Sequence, residues 1–455
     1  MENNCIAIVL AAGEGKRMKS PLPKTVHRLA GKALCEWVVD SAEQATGVKP
    51  VLVIGADTGK FTAIFSDRVF YAVQQKPLGS GHAVLAAKEH LTGDGYAIII
   101  AGDMPLIRAR TLKALADRAV AEKLAVCILS TVSENPSGYG RILRNNNGVA
   151  RIVEDKDATD EQKKIQEINL SVYCFHIPPL LKALYSLNNE NAQKEYYLTD
   201  CIEYLSKEGH SIETVALQDG SEGLGVNDRV QLADAAKLLR KRINNQIMLS
   251  GATLIDPDNT YIDANVTVGR DAVIYPNVTL EGLTVIKENA VIYPGSRICD
   301  STIGRGTTVQ NSVILQSKIG DNTTIGPYAY LRPKSVIGNG CRVGDFVEIK
   351  NARLKDGAKV SHLSYIGDGE IGEKSNIGCG VVFVNYDGKK KSDTVIGKNA
   401  FIGCNVNLVA PVTVGDGAYV AAGSTVTSDV EPDSLCVARC RQRTISGWAK
   451  RRREE

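Results

Sequence analysis

The sequence predicts an α/β domain of the doubly wound type, followed by a long helix and a parallel β-helix. Three observations predict this architecture: apolar and helical segments alternate in the first half, a central segment lacks glycine and proline, and aliphatic residues recur every six positions in the second half. We expect the first domain over residues 1–227, the linker helix over 228–249, the β-helix over 250–437 and a charged tail over 438–455.

Short apolar runs in the first half are typical of buried strands in a parallel sheet, and helical segments separate them. The expected strands are 6–12, 51–54, 97–101 and 126–132. The expected helices lie near 33–44, 82–90 and 109–122.

The segment 228–249 favours one continuous helix, because neither helix breaker occurs in it. The apolar residues expected on one face of this helix are Val230, Ala233, Ala236, Leu239, Ile243 and Ile247.

The second half repeats an aliphatic residue every six positions, a spacing that neither a helix nor a flat strand produces. The repeated residues are Ile262, Val268, Ile274, Leu280, Ile286, Ile292 and Ile298, then Ile319, Ile325, Leu331, Ile337, Val343 and Ile349, then Ile396, Ile402, Leu408, Val414, Val420 and Val426. A parallel β-helix has this period, since each six-residue unit supplies one short face and one inward side chain. A β-sandwich is the alternative, but its loops vary in length.

Two segments are expected to interrupt the period and to carry chemistry. Residues 361–368 are expected to break the six-residue spacing, and the polar segment 383–394 should project as a loop.

Composition excludes several classes of protein. A net charge of +3 with dispersed basic residues does not favour a nucleic-acid partner. Apolar runs are shorter than the roughly 20 residues that cross a bilayer, and the first apolar run lacks a basic leader, so a cytoplasmic protein is expected. The 11 cysteines show no paired metal-ligand spacing, which favours reduced thiols.

A glycine loop follows the first strand, and it contains Gly13, Gly15, Lys16 and Arg17. Glycines at this place let backbone amides approach phosphate oxygens, and the basic side chains neutralise them. Asp103 follows another apolar run, at the sheet edge where open α/β sheets bind ligands and where a carboxylate can hold Mg²⁺.

This loop, read on to Pro23 and Lys24, resembles the L-A-A-G-x-G-T-R-M…P-K signature of sugar-1-phosphate nucleotidylyltransferases. Further matches are Gln74, Leu78 to Ala83, Ala101 to Leu106, Gly138 to Ile142, Val153 to Ala158, Glu167 to Asn169 and Gly225 to Asn227. Together with the hexapeptide repeats, they make the whole chain resemble the bacterial bifunctional N-acetylglucosamine-1-phosphate uridylyltransferase and glucosamine-1-phosphate N-acetyltransferase family.

The resemblance implies an enzyme that makes UDP-N-acetylglucosamine, a precursor of peptidoglycan and lipopolysaccharide, from glucosamine-1-phosphate, acetyl-CoA and UTP. It implies Mg²⁺ held by Asp103 and Asn227, in the N-terminal domain. The residues implied in binding UTP and the UDP-sugar are Leu10, Ala11, Ala12, Gly13, Arg17, Lys24, Gln74, Gly79, Ser80, Gly140, Glu154, Asn169 and Asn227.

For the second domain, the resemblance implies a left-handed β-helix that assembles as a homotrimer and transfers an acetyl group. His362 is the expected general base, since imidazole accepts protons near neutral pH. The residues implied in binding the acetyl acceptor and acetyl-CoA are Arg332, Lys350, Tyr365, Asn376, Cys379, Asn385, Tyr386, Lys391, Cys404, Ala422 and Arg439.

The chain departs from the family pattern at three positions. Lys16 stands where Thr is usual, and it is either an added cation for the phosphates or a solvated lysine. Cys379 and Cys404 stand where Ala and Ser are common. Cys matches Ser closely in size, so we expect coenzyme binding to survive.

Two other functions remain as alternatives. A nucleotidylyltransferase with a single activity would lack a histidine such as His362 and the lysine loop. A non-enzymatic interaction protein would lack Lys24 or Asp103, and both are present.

Overall fold

The computed structural model describes residues 5–13, 15–146, 148–217 and 219–454. The chain forms two compact units, Met1–Leu239 and Arg240–Glu455, and the division falls within the expected linker helix. Glu14, part of the expected glycine loop, lies outside the described residues.

The first unit is built on one large mixed sheet with helices around it. Its strands are β1 Cys5–Leu10, β2 Arg28–Leu29, β3 Lys32–Ala33, β4 Val51–Ile54, β5 Phe70–Val73, β6 Tyr96–Ala101, β7 Val126–Val132, β8 Arg141–Asn145, β9 Gly148–Val153, β10 Glu167–His176 and β11 Ile212–Ala216. Its helices are α1 Leu34–Thr46, α2 Gly59–Phe65, α3 Ser80–Ala86, α4 Ala109–Ala121, α5 Asp160–Lys163, α6 Ile177–Ser186 and α7 Asp200–Lys207. Short 3₁₀ helices are Lys16–Met18, Lys24–Val26, Lys88–His90 and Gly220–Gly223.

The main sheet runs in the order β11, β7, β10, β6, β1, β4, β5. The four expected strands are present, and β1, β4 and β6 pair in parallel, as predicted. Strand β7 is buried and pairs in parallel with β11, but β10 lies between β6 and β7 and is antiparallel to both, so the sheet is mixed rather than wholly parallel. Two boundaries also differ: β1 ends at Leu10, and the helix expected over 82–90 ends at Ala86.

The pairing of β1 with β6 positions the functional loops of this unit. Leu10 lies opposite Ala101, so both strands end at the same level of the sheet. The Gly102 amide donates to the Leu10 carbonyl at 2.8 Å. The glycine loop and the Asp103 loop therefore leave the sheet side by side.

Helix α8, Arg229–Leu249, forms as one continuous helix of 21 residues. The apolar face predicted for the first half of α8 was wrong, because Val230, which we expected on that face, is 71% exposed. The buried stripe instead passes through Ala235 and Leu239, which are four residues apart. The end of α8, which belongs to the second unit, packs on the β-helix core through Ile243 and Ile247.

The strands of the second unit stack in parallel as the three faces of successive coils. The first face comprises Thr253–Leu254, Val273–Ile274, Val291–Ile292, Thr308–Val309, Thr324–Ile325, Arg342–Asp345, Lys359–His362, Asn376–Ile377, Phe401–Ile402, Tyr419–Val420 and Leu435–Cys436. The second comprises Tyr261–Ile262, Thr279–Glu281, Arg297–Cys299, Val313–Leu315, Tyr330–Leu331, Glu348–Leu354, Tyr365–Ile371, Val382–Val384, Asn407–Val409 and Thr425–Val426. The third comprises Thr267–Val268, Val285–Ile286, Thr302–Ile303, Lys318–Ile319, Val336–Ile337, Thr394–Ile396 and Val412–Val414, with the ends of Glu348–Leu354 and Tyr365–Ile371. A 3₁₀ helix, Pro257–Asn259, lies near the start of the unit and a helix, α9 Trp448–Glu454, lies in the tail.

The six-residue repeat forms the core of this β-helix. Ile274, Ile292, Ile325 and Ile349 are fully buried and belong to one continuous apolar cluster that runs through the coils. Glycine is required where coils touch: a Cβ on Gly320 would lie 2.6 Å from the carbonyl of the next coil. The sequence period is thus the spacing of inward side chains, as predicted.

The two expected interruptions have different outcomes. The segment 361–368 does not begin a break, because buried Val360 and Ile366 keep the spacing of six and the shortened step comes later, from Ile366 to Ile371. The second interruption is a loop between Val382–Val384 and Thr394–Ile396, and most of its residues are exposed. Among the described residues, no helix is long and apolar enough to span a membrane.

Two adjacent residues on one short strand, Val285 and Ile286, test whether the repeated aliphatic side chains point inward. Ile286→Ala removes a side chain that is 1% exposed, so we expect a loss of about 2–5 kcal/mol in unfolding free energy from lost burial and the cavity left behind. Val285→Ala, at 37% exposure, should cost under about 1 kcal/mol. Urea unfolding followed by circular dichroism measures both. Equal losses would contradict an inward-facing Ile286.

Candidate functional sites

The first candidate site is a cavity of about 620 Å³ at the ends of β1 and β6. Ten of the expected nucleotide-sugar residues line it, namely Leu10, Ala12, Gly13, Arg17, Lys24, Gln74, Gly79, Ser80, Glu154 and Asn227. Lys16 also lines this cavity. Ala11 is buried, Gly140 lies beside Glu154, and Asn169 contacts Tyr173, which lines the cavity.

A polar cluster joins the glycine loop to the Asp103 loop. The Lys24 ammonium forms a short ion pair with Asp103 Oδ2 and donates to Asn227 Oδ1 at 3.0 Å. Arg17 donates to the same Asn227 oxygen at 2.9 Å. The Asp103 and Asn227 oxygens therefore converge on one cation, the Lys24 ammonium.

This pair of oxygens fits a hard divalent cation. Mg²⁺ prefers oxygen ligands and is usually held by one or two protein groups plus substrate phosphates. The described residues contain no group of three or more His, Cys, Asp or Glu side chains arranged for a metal. A site formed by Asp103 and Asn227 is therefore incomplete without ligand oxygens.

A narrow pocket lies beside the start of α3. Gln74 is buried and donates from Nε2 to the Gly79 carbonyl at 3.0 Å. Gly79 has φ +116, and a Cβ there would lie 2.5 Å from the Tyr196 carbonyl. The Ser80 hydroxyl accepts from the Leu198 amide at 2.9 Å. These contacts hold rigid the part of the cavity wall that lies beside α3.

The same cavity is lined by a half-buried carboxylate, Glu154. Glu154 Oε1 accepts from the Thr199 hydroxyl at 3.1 Å. Burial raises the pKa of Glu154, whereas the Thr199 hydrogen bond lowers it, and burial prevails. Asn169 donates to the Tyr173 hydroxyl at 2.7 Å, and its backbone amide donates to Gly140. Such acceptors and donors suit the hydroxyl groups of a sugar.

The second candidate site contains a buried carboxylate that collects polar groups. Asp368 accepts from Asn351 at 2.7 Å and from Asn385 at 2.5 Å, and Lys350 lies 3.6 Å away. Burial alone would raise the pKa of Asp368, but these hydrogen bonds and the charge of Lys350 lower it. Contact with Lys350 lowers the pKa of Lys391. Two lysine side chains thus meet above one carboxylate.

Other expected residues surround this cluster. Arg332 forms an ion pair with Glu348 at 2.9 Å. The Tyr365 hydroxyl packs over Gly367, where a Cβ would lie 2.5 Å from it. Tyr386 is 56% exposed in the projecting loop. These groups leave a cationic, open surface that suits an anionic ligand.

His362 lies on a different face of the coil. Its Nδ1 is 2.6 Å from Asp345 Oδ1, and the two residues are direct partners on stacked strands. Val360 pairs with Ile377, so Cys379 takes the position of His362 in the next coil. Ile377 pairs with Ile402, which places Cys404 next in the same column.

The column continues to Ala422, because Ile402 pairs with Val420. Arg439 Cδ lies 3.8 Å from where a Cβ of Gly423 would be, beside the column's end. Asn376 also belongs to this first face, paired with Phe401. Within the described residues, no hydrogen bond or ion pair joins His362 to the Asp368 cluster.

Several residues were not predicted from the sequence. Tyr173 and Thr199 line the first cavity, and nothing local in the sequence marks them. Asp345 and Asp368 could have been found from the coil length: Asp345 precedes His362 by 17 positions, and Asp368 precedes Asn385 by 17.

Comparisons with known proteins find relatives that match nearly the whole chain. Residues 7–181 match the MobA-like NTP transferase domain, and residues 316–351 and 393–428 match the bacterial transferase hexapeptide repeats. The chain is 50% identical to the bifunctional protein GlmU of Clostridium beijerinckii over 98% of both chains. It is 49% identical to the proteins of the same name from Acetivibrio thermocellus, over 97% of this chain and 96% of that one, and Caldanaerobacter subterraneus, over 98% of both.

Proposed function

This chain belongs to the GlmU family of bifunctional proteins, and from that premise we propose how its two sites divide the synthesis of UDP-N-acetylglucosamine. The protein is a nucleotidyltransferase and an acetyltransferase, which uses UTP and acetyl-CoA. The hexapeptide unit acetylates glucosamine-1-phosphate. The N-terminal unit then joins N-acetylglucosamine-1-phosphate to UTP and releases pyrophosphate. The two separate cationic sites support this division.

In the N-terminal unit, a phosphate oxygen of the sugar attacks the α-phosphorus of UTP, and the bond to pyrophosphate breaks. Both reactants are anions, so this chain's contribution is positioning and charge neutralisation. Lys24 and Arg17 hold the triphosphate beside the glycine loop. Gln74 and Ser80, with the Gly79 backbone, receive the uracil ring.

The same cavity receives the acetylated sugar. Glu154, Asn169 and the Gly140 backbone hold its hydroxyl and amide groups. Asp103 and Asn227 would hold Mg²⁺, which when bound neutralises charge on the phosphates. The Lys24 ammonium contacts the same two oxygens, which places it beside the phosphates of a bound triphosphate.

In the hexapeptide unit, His362 takes a proton from the sugar ammonium. The freed amine attacks the acetyl thioester, the new C–N bond forms, and the C–S bond breaks to release the coenzyme A thiol. Arg332, Lys350 and Lys391 hold the sugar phosphate. Tyr365, Asn376, Asn385 and Tyr386 complete the acceptor pocket, and Cys379, Cys404, Ala422 and Arg439 contact acetyl-CoA.

We propose that the chain works as a homotrimer whose acetyltransfer sites form between subunits. Tyr328, Phe346 and Leu363 occupy the same corner of three successive coils and are 59%, 60% and 60% exposed. Each has a positive φ, of 58°, 56° and 41°, which is costly for bulky side chains. An exposed apolar column held at such a cost favours burial against another copy. A cytoplasmic location stays a prediction.

The division of labour is tested by following two products separately. With glucosamine-1-phosphate, acetyl-CoA, UTP and Mg²⁺ supplied, His362→Ala should lose thiol release by about 100-fold or more, because the general base is gone. When N-acetylglucosamine-1-phosphate and UTP are supplied directly, His362→Ala should release pyrophosphate at the normal rate. Asp103→Ala should show the reverse pattern.

Asp57→Ala is the control for Asp103→Ala, because Asp57 is 65% exposed and pairs only with a neighbouring lysine. Normal thiol release by His362→Ala would contradict the C-terminal assignment. Normal pyrophosphate release by Asp103→Ala would contradict the N-terminal one.

Neighbouring lysines of the projecting loop test the phosphate site. Lys391→Ala should raise the KM for glucosamine-1-phosphate by about 10-fold or more, because it removes one of two cations beside Asp368. Lys390→Ala, in the same loop, should change this KM less than about twofold. Steady-state rates of thiol release give the KM of each variant. Equal increases in KM for the two variants would mean that the loop acts only through its overall positive charge.

The exposed residues Tyr328, Phe346 and Leu363 provide a test of the proposed trimer. Analytical ultracentrifugation should give three times the 48.9 kDa chain mass for the wild type. Phe346→Asp should shift the protein toward smaller species, because a buried charge in the interface is costly. Tyr185→Asp, at a site 66% exposed in the other unit, is the control. A monomeric wild type would contradict the proposal.

A further inference from the structure

Asp345 lies one coil before His362, on the strand Arg342–Asp345. The two residues are paired in register, and Oδ1 of Asp345 lies 2.6 Å from Nδ1 of His362. The Leu363 amide also donates to the Asp345 carbonyl at 2.9 Å. Backbone pairing on the aspartate strand therefore sets where the imidazole ring stands.

The contact determines which ring nitrogen carries a proton. The hydrogen bond with His362 lowers the pKa of Asp345, so this carboxyl is ionised at neutral pH and can only accept. Nδ1 of His362 must then donate. In a neutral imidazole the other nitrogen, Nε2, keeps its lone pair free to act as a base.

The exposure of the pair argues against a purely structural role. The side chains of His362 and Asp345 are 55% and 39% exposed. Ion pairs this exposed contribute little to stability, because water and salt screen them. The other polar groups beside the pair are Arg342, whose charge also lowers the pKa of Asp345, and the thiol of Cys379 in the next coil.

We propose that Asp345 is a positioning residue for acetyl transfer, which accepts the Nδ1 proton of His362 and directs Nε2 toward the acceptor amine. This rests on the proposed role of His362 as base. Nε2 takes one proton from the sugar ammonium, and the Asp345 carboxylate stabilises the imidazolium that forms. The freed amine then attacks, the C–N bond forms and the C–S bond breaks. A second proton of the amine passes to the departing thiolate, and the imidazolium releases its proton to solvent.

The test replaces Asp345 by Asn and by Ala in the full chain. Both variants should lower kcat for thiol release by about 10-fold, while the KM for glucosamine-1-phosphate stays within about twofold. The kcat against pH profile should change shape in both variants, because the group that accepts the Nδ1 proton is altered or lost. Pyrophosphate release from N-acetylglucosamine-1-phosphate and UTP should be unchanged.

Three controls keep the outcomes distinct. Glu281→Gln removes a comparable exposed ion pair, to Arg297, on a distant coil and should leave both activities at the wild-type level. Thermal unfolding checks that each variant folds. NMR of ¹³C-histidine in the full chain, with His362 assigned by its loss in His362→Ala, measures its titration directly in wild type and in Asp345→Asn.

A wild-type kcat, pH profile and His362 titration in the Asp345 variants would overturn the proposal. If His362→Ala loses thiol release and the Asp345 variants do not, only the role of Asp345 fails. If His362→Ala keeps normal thiol release, the proposed base itself is wrong. A raised KM with unchanged kcat would make Asp345 a binding residue and would also overturn the proposal.

Discussion

The parallel stacking of coils on a continuous aliphatic column is the constraint on which the second unit depends. Each inward Ile, Leu or Val fixes the level and the register of its coil. Every outward side chain then stands directly beside the one a coil earlier. Asp345 and His362 meet because Val343 pairs with Val360 two residues before them. Chemistry on this surface is therefore built from residues about one coil apart in sequence, and a shift of one residue would separate them.

The N-terminal unit meets a different constraint, which is to bring like-charged substrates together. It places cationic side chains where β1 and β6 end side by side, and it keeps them paired until ligands arrive. Lys24 spans the Asp103 and Asn227 oxygens, so neither a carboxylate nor an ammonium is left uncompensated in a part-buried cleft. The same arrangement makes ligand binding an exchange of ionic partners.

Much of this could be predicted from the sequence, since two kinds of local signal carry it. The six-residue period depends only on which side chains point inward, so it was enough to predict the β-helix and most of its core residues. The glycine loop and Asp103 follow strands directly, and their motif spacing carries the nucleotide site. What was missed depends on long-range pairing: the antiparallel β10 between β6 and β7 has no local signature. Val230 was misplaced because a helical face cannot be chosen before its packing partners are known.

The cluster around Asp368, which we propose binds the sugar phosphate, brings two cations to one carboxylate. Lys350 and Lys391 repel each other, and that contact lowers the pKa of Lys391. Asp368 offsets part of the repulsion but is itself held by Asn351 and Asn385 beneath the lysines. One carboxylate for two cations leaves net positive charge facing solvent. At the proposed site a phosphate dianion would supply the missing negative charge, and the cations proposed to bind it already stand together.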